Sequence, residues 1–527
     1  MTRRSSKYAR ATSFLAAPLL AWSAFTATSC APVCRGVDGA CVELHIEGSG
    51  SYSSYSIEWR YAISDEPKAA LRRGATESGG DLPRIFRVLP PLGVPHDSVR
   101  SVGVLGLSGD GSEEVGGSIE LSLGSSEHAT QTLPLGLRFS RNDIALAASS
   151  ANLVAADLNG DSVADLAVVG TPVTATANST SGGVLSVLYG VGDGTYRTAV
   201  RSDIPTEARS LQAVDVDGDS RLDLLTTGAG DSFSLFLNSS SGLAAAGSQI
   251  LNSTGVTTGD CGSSNGTATD AHSLAVADFN GDGFVDIAAT LRSRPCLTLL
   301  LGTSKTAFVA KETAPRPSPV PVGDALSRMA VADFDQDGRP DVAVIRTTEG
   351  IGNIALLLSG DTQNGFSLSS VFTAGNEPTG LLAEDFNRDG KPDLAVVSAR
   401  SSSLQVFLNK GFVSGAFGGS PASVTHRPAD LEHRFGLPGY GPTCIASGDI
   451  NGDGTMDLAV CDSALPTIAV LFGRSGSTLA FEPPIRLAVE REPRAIVVAD
   501  LDGKGQRDLA VVHAGSATLT VLLNRTN

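Results

Sequence analysis

The sequence predicts an all-β protein, a seven-bladed β-propeller behind a small N-terminal β-sandwich-like domain. Three observations predict it. A short acidic loop recurs seven times, its first positions lie 58, 63, 55, 52, 64 and 51 residues apart, and runs of Val, Ile, Leu and Phe of strand length fill the intervals. A period of this size holds about four strands, which is one propeller blade.

The loops come first because they set the register. In VADFDQDGRPDVAVI, oxygen-bearing side chains stand at positions 1, 3, 5 and 9 (Asp333, Asp335, Asp337, Asp341). A Gly stands at position 6, and Arg339 at position 7 can lend its backbone carbonyl. Carboxylates so close repel one another unless a cation lies between them, and an oxygen-only set at this spacing suits a hard divalent ion. The first loop offers Asp157, Asn159, Asp161, Val163 and Asp165, and the second Asp215, Asp217, Asp219, Arg221 and Asp223. The third offers Asp278, Asn280, Asp282, Phe284 and Asp286. The fifth has Asp385, Asn387, Asp389, Lys391 and Asp393, and the sixth Asp449, Asn451, Asp453, Thr455 and Asp457. The seventh keeps Asp500, Asp502 and Asp508 but puts Lys504 at position 5, where its ammonium can take the ion's place. Six loops are expected to bind metal and the seventh is not.

An EF-hand would need a bidentate Glu at position 12 and a following helix. Position 12 here is Val168, Thr226, Ala289, Val344, Val396, Val460 and Val511, and the loop runs into another apolar strand. Each unit therefore reads as strand (LAVADF), acidic loop, strand (DIAATL), third strand (CLTLLLG, TLTVLLN) and a fourth opened by an aromatic residue such as Tyr196, Phe366 or Phe481. The seventh unit stops after its third strand, while LRFSRNDIALAASS precedes the first loop without a blade of its own. That early strand is expected to complete the last blade and close the ring, which removes its open edges.

The repeats, SVLYGVGDGTY above all, resemble FG-GAP (VCBS-type) repeats, the blades of integrin α-subunit propellers and of many bacterial surface proteins. The resemblance covers about residues 137 to 527. It implies calcium in the loop joining the first two strands of each blade, about six ions in all, and it marks an architecture rather than a reaction.

The N-terminal region carries a different message. Arg3, Arg4, Lys7 and Arg10 precede SFLAAPLLAWSAF and a small-residue site, which predicts a signal peptide over 1–29 of lipoprotein type. Cys30, after Ala27, Thr28 and Ser29, is the expected acylated residue, although Ala27 departs from the usual Leu and leaves ordinary cleavage open. The β-sandwich-like domain follows over 30–130, and the propeller over 131–527. SGDGSEE within the smaller domain reads as an exposed hairpin rather than a metal loop. The remaining six cysteines fall in local pairs, Cys34 with Cys41, Cys261 with Cys296 and Cys444 with Cys461. Disulfides suit an exported protein, and buried free thiols are the alternative.

The net charge of -17 lacks a basic footprint and excludes a nucleic-acid partner. Most of the acidity belongs to the loops. Long insertions (171–183, 251–273, 311–327 and 418–443) are assigned to the face opposite them, where binding specificity usually sits. The last insertion contains His426, Arg427, His433, Arg434 and Tyr440. The sequence thus predicts a calcium-binding cell-envelope propeller for adhesion to a protein or glycan, touching the membrane only through its lipid anchor. A calcium-dependent polysaccharide lyase or hydrolase is the alternative and a structural spacer the third reading. No nucleophile elbow, paired His spacing or Ser/His/Asp grouping marks a catalytic centre, although His272 and His433 lie where one would need partners from other blades.

Overall fold

The computed structural model describes strands from residue 41 onward and, in full side-chain detail, most of 139–526. Residues 1–40, 89–98, 108–112, 121–127, 173–181, 245–270, 312–324, 361–365, 412–431 and 437–440, with a few others, lie outside the described residues. The chain divides into two compact units. One runs to Phe139 and takes in Pro483–Leu487 and Arg525–Asn527; the other comprises Ser140–Glu482 and Ala488–Asn524. Among the described residues there is no helix.

The first unit contains β1 (Cys41–Glu47), β2 (Ser51–Ile63), β3 (Glu66–Asp81), β4 (Arg84–Val88), β5 (Val99–Leu107), β6 (Glu113–Glu120) and β7 (His128–Pro134). They form two sheets, ordered β4-β1-β7 and β3-β2-β5-β6. Strand β5 pairs antiparallel with β6, and residues 108–112 of SGDGSEE between them lie outside the described residues.

The second unit is a seven-bladed propeller. β8 (Leu137–Ala145) enters it, and the first blade follows as β9 (Ala148–Ala156), β10 (Asp165–Pro172), β11 (Gly183–Leu188) and β12 (Val200–Ile204). The second blade is β13 (Leu211–Val214), β14 (Asp223–Gly228), β15 (Ser232–Ser239) and β16 (Gly242–Ala244). The third is β17 (Ala271–Ala277), β18 (Asp286–Leu291), β19 (Leu297–Ser304) and β20 (Ala307–Lys311). The fourth is β21 (Ala325–Ala332), β22 (Asp341–Thr348), β23 (Ile351–Ser359) and β24 (Phe366–Thr373). The fifth is β25 (Pro378–Glu384), β26 (Asp393–Ser398), β27 (Ser403–Phe407) and β28 (Glu432–Gly436). The sixth is β29 (Pro442–Gly448), β30 (Asp457–Asp462), β31 (Thr467–Leu471) and β32 (Ile485–Ala488). The seventh joins β33 (Pro493–Ala499), β34 (Asp508–His513) and β35 (Thr518–Asn524) to β8.

That last sheet is the closure expected from the sequence. Leu146 N–H donates to Ala517 C=O at 2.7 Å, and Thr520 Oγ1 donates to Asp143 Oδ1 at 2.7 Å. The inner strands confirm it, because each of β9, β13, β17, β21, β25, β29 and β33 packs beside the next and β33 packs beside β9.

Apolar layers between blades hold the ring together. Leu153, Leu166 and Leu188 of the first blade pack against Val512, Leu519, Val521 and Leu523 of the seventh. Similar layers join the fourth blade to the fifth through Ile345, Leu356, Leu394 and Val396, and the fifth to the sixth through Val397, Val406, Leu458 and Leu471. The second strand of a blade is covered on both faces, which is why β10, β26 and β34 read as unbroken apolar runs rather than alternating ones. Each such Leu or Val contributes about 1.5–3 kcal/mol when fully buried.

One expectation is corrected here. The sequence reading placed 418–443 as a single insertion opposite the acidic loops. Residues 432–436 are instead the fourth strand of the fifth blade, with Val406 opposite His433 and Gln405 opposite Arg434. The long segment before them therefore joins a third strand to a fourth. Because successive strands are antiparallel, it leaves and re-enters the blade on the acidic-loop face. The pairing preference of EHRFG is masked in the sequence by the polar, Pro-rich residues that precede it. His426, Arg427 and Tyr440 lie outside the described residues.

Candidate metal centres

Every acidic loop joins the first strand of its blade to the second, and all seven fold alike. The position 1 carboxylate accepts the position 6 N–H on Oδ2 at 2.7–2.8 Å throughout. The side-chain oxygen of position 3 accepts the position 5 N–H, at 2.8 Å for Asn159 and 3.1 Å for Asp217. In the six loops with Asp there, position 5 accepts the position 7 N–H in its turn, at 2.9 Å for Val163 donating to Asp161 and 2.9 Å for Phe284 donating to Asp282. These are successive Asx turns, the local use to which Asp and Asn are best suited.

The wrapping requires left-handed backbone at two positions. Position 6 has φ of 65° at Ser162 and 68° at Ser220, and is Gly in the other five loops. Position 4 has φ of 78° at Gly160 and 71° at Gly218, and even Gln336 and Arg388 are held at 61° and 60°. The sequence reading singled out position 6 alone. The Gly at position 4 in five of the seven loops was the available signal.

Position 9 has a second duty that the sequence reading missed. Asp165, Asp223, Asp286, Asp341, Asp393, Asp457 and Asp508 are all fully buried. Each accepts the position 2 N–H on Oδ2, for example from Phe279 at 3.0 Å and Ile450 at 2.8 Å. Each also accepts a backbone N–H at the end of the blade's third strand on Oδ1, from Gly190 (2.8 Å), Asn238 (2.7 Å), Gly302 (2.8 Å), Ser359 (2.8 Å), Asn409 (2.7 Å), Gly473 (2.8 Å) and Asn524 (2.7 Å). The residue thus staples the loop to the blade. A carboxylate has about four acceptor sites, so two N–H bonds leave room for a metal.

Apart from Ser359 in the fourth blade, the third-strand terminus takes one of two forms. Where it is Gly190, Gly302 or Gly473, an added Cβ would fall 2.4–2.6 Å from the position 8 carbonyl oxygen of the loop. Where it is Asn, the side chain reaches the preceding blade's loop. Asn238 Nδ2 donates to Leu158 C=O at 2.5 Å, Asn409 to Phe334 C=O at 2.8 Å and Asn524 to Ile450 C=O at 2.7 Å.

Ligand oxygens converge as the spacing predicts. Asp215, Asp217 and Asp223 bring theirs within 4.8 Å of one another, as do Asp333, Asp335 and Asp341, and Asp500, Asp502 and Asp508. Position 5 is not in these groups. Its Oδ2 instead takes the position 3 amide where that is Asn, at 2.9 Å from Asn159 and 3.0 Å from Asn280 and Asn451. In three loops the position 7 side chain supplies a counter-charge: Arg221 pairs with Asp219, Arg339 with Asp337 at 2.5 Å, and Lys391 with Asp389 at 3.2 Å, where Asn387 also donates at 3.3 Å. Residues expected to lend only a carbonyl therefore also balance the fifth carboxylate. In the seventh loop Lys504 Nζ lies 2.5 Å from Asp502 Oδ2, so its ammonium pairs with one of the three remaining carboxylates.

Two observations test whether the residues fit a cation. The sixth loop leaves Asp449 Oδ1 and Thr455 Oγ1 buried without a hydrogen-bond partner. Elsewhere the same Oδ1 accepts the position 5 N–H, at 3.1 Å in the first loop. An orphaned carboxylate oxygen beside an all-oxygen donor set is what a hard cation would satisfy. Burial also pushes the position 9 carboxyls up, with the other loop carboxylates adding to the effect. Asp286, Asp341, Asp393 and Asp508 are raised to about 6 and Asp457 to about 7. A divalent ion would offset that cost.

The disulfide expected between Cys444 and Cys461 is present, cross-strand partners in one hairpin with Cα atoms 5.1 Å apart. Cys30, Cys34, Cys261 and Cys296 lie outside the described residues, and of Cys41 only the backbone is described.

The FG-GAP-like repeat family matches residues 215–289, 333–396, 385–460 and 449–511. Each stretch runs from position 1 of one loop to position 12 of the next. No curated protein matches the chain. Among solved structures, the BBS1N chain crystallised with ARL6DN and soaked with lead is 12% identical, with 72% of this chain and 94% of that one covered and a TM-score of 0.45. A Lactobacillus plantarum protein is 10% identical (83% and 97% covered, TM-score 0.44). The periplasmic gluconolactonase PpgL of Pseudomonas aeruginosa is 12% identical (84% and 98% covered, TM-score 0.42). At these scores nothing about binding or catalysis transfers from them.

Proposed function

Because the chain carries FG-GAP-like repeats folded as a seven-bladed propeller, we propose that it is a calcium-binding scaffold that presents a ligand-binding surface at the cell envelope. The observation that carries the metal half of this reading is the sixth loop, where a buried, partnerless Asp449 oxygen sits beside convergent ligands. Hard oxygen donors in a flexible, wide set favour calcium over magnesium, which keeps several waters and demands a tighter octahedron. Six loops bind an ion and the seventh is neutralised by Lys504. Calorimetric titration of the chelator-stripped protein is expected to count six sites. A melting temperature indifferent to chelator would overturn the metal reading.

The binding half rests on the rigid ring and its long connections. Export and acylation at Cys30 would hold the propeller at the envelope surface, and mass spectrometry of the mature N-terminus checks the acyl group. A glycan array or pull-down with calcium-loaded protein would compare the intact chain with a form in which residues 412–431 are replaced by a short Gly/Ser turn. Loss of ligand in the shortened form is expected. Turnover of an anionic glycan in the same assay would replace adhesion with a lyase or hydrolase activity.

A further inference from the structure

The sixth blade differs from the others at the base of its acidic loop. Cys444 of β29 and Cys461 of β30 are cross-strand partners joined by a disulfide, 17 residues apart in the chain. The loop, from Asp449 to Asp457, lies wholly inside the ring this bond closes. Four residue pairs, from Ile445 with Val460 to Gly448 with Asp457, lead from the bond to the mouth of the loop. No other pair of first and second strands contains a cysteine.

The same loop carries the clearest sign of a cation site. In the other six, Oδ1 of position 1 accepts the position 5 N–H at 3.0–3.1 Å. Here Asp449 Oδ1 lacks that bond, and it and Thr455 Oγ1 are buried without a partner. Thr455 is 6% exposed, so solvent scarcely reaches it.

The disulfide is also out of reach. Cys461 is fully buried and Cys444 nearly so. A thiolate must meet a disulfide sulfur directly, so reduction has to wait for the hairpin to open. Asp457 makes that opening a matter for the loop as well. It is both the last ladder partner and position 9, accepting Ile450 N–H and Gly473 N–H at 2.8 Å each.

We propose that the sixth acidic loop and the Cys444–Cys461 disulfide form a redox-linked calcium switch, in which an ion in the loop shields the disulfide from dithiol reductants and reduction weakens the hold on the ion. In the chemical step a reductant thiolate attacks one Sγ and displaces the other cysteine as thiolate. The reductant's second thiol then resolves the mixed disulfide, so the reductant leaves as a cyclic disulfide and its two protons end on the cysteines. An ion that binds only the closed hairpin lowers the open population by the factor by which it saturates the site. Linkage makes the effect reciprocal, because reduction frees the strands that hold the loop in shape. The switch rests on the calcium reading of this one loop.

The test exposes the full chain to dithiothreitol in calcium or in chelator, quenches with iodoacetamide, and follows alkylation of the Cys444 and Cys461 peptides by mass spectrometry. Calcium at about 100 times the dissociation constant of the sixth site should slow alkylation about 100-fold. Asp453→Lys, which places a lysine where the seventh loop has Lys504, and the uncharged Asp453→Ala should both abolish the protection. Asp337→Lys in the fourth loop should keep it. Melts in chelator check that each variant folds, and calorimetry counts its ions. Equal rates in calcium and chelator, with the sixth site shown to be filled, would overturn the switch alone. An ion count unchanged by Asp453→Lys would overturn the calcium reading of this loop and the switch with it. Protection that survives in either Asp453 variant would show that ions elsewhere cause it, which also overturns the switch.

Discussion

The Asn stitches between blades give a prediction that needs no metal. In Asn238→Ala, Nδ2 no longer donates to Leu158 C=O (2.5 Å) in the first blade or to Leu222 C=O (3.1 Å) in its own. Asn238 is 4% exposed, so water cannot replace both bonds without opening the contact. A buried acceptor left bare costs about 1–3 kcal/mol, and the truncation also leaves a small void. The expected loss is about 2–5 kcal/mol. The backbone N–H of Asn238 still donates to Asp223, so the staple within the blade survives. Urea unfolding in chelator, with Asn409→Ala as the equivalent change between the fourth and fifth blades, measures it. A loss below about 1 kcal/mol in both variants would show that the stitches do not hold neighbouring blades together.

The remaining predictions concern the loops. In chelator, the position 9 carboxyls with raised values favour the folded state when protonated. This contribution is therefore expected to be greatest below about pH 4 and to be lost as pH rises through about 6 and 7. Bound calcium holds the carboxylates ionised and should abolish this slope, which paired melts across pH 5 to 8 would read. His513, lowered to about 4 by burial, acts in the opposite sense below pH 6.5, but it is one group against seven. Lys504→Asp removes the ammonium from the seventh cage and should add one site to the calcium stoichiometry. Gly218→Ala should cost about 1 kcal/mol although its Cβ meets nothing within 4 Å, because φ there is 71°; an unchanged melt would refute the backbone argument.

Much of this architecture was legible in the sequence because the repeat is written in two independent hands. The acidic spacing marks each first connection, and the apolar runs mark the strands on either side. Ring closure was legible because β8 had no blade of its own while the last blade lacked a strand. The fourth strand of the fifth blade was not legible. Its five residues, EHRFG, carry one aromatic and no alternating apolar pattern, and they pair only because β27 presents an open edge. Position 4 of the loop was missed for a different reason: Gln336 and Arg388 adopt a glycine-like φ, and identity alone hides that requirement.

The double use of position 9 follows from the same logic and changes how the loops should be understood. Across the seven loops position 3 is either Asp or Asn, and position 5 tolerates Lys504, yet positions 1 and 9 are Asp every time. If these residues served the cation alone, the seventh loop, with an ammonium in its cage, would have no reason to keep Asp508. It keeps it fully buried, with Leu501 N–H at 2.8 Å and Asn524 N–H at 2.7 Å. An Asn there could accept only one of the two N–H groups without turning its own amide against the other. Positions 1 and 9 are therefore fixed by the fold, while positions 3 and 5 are the ones that vary. It follows that a blade can close without an ion in its loop, whereas losing position 9 unpins the third strand whether or not calcium is present.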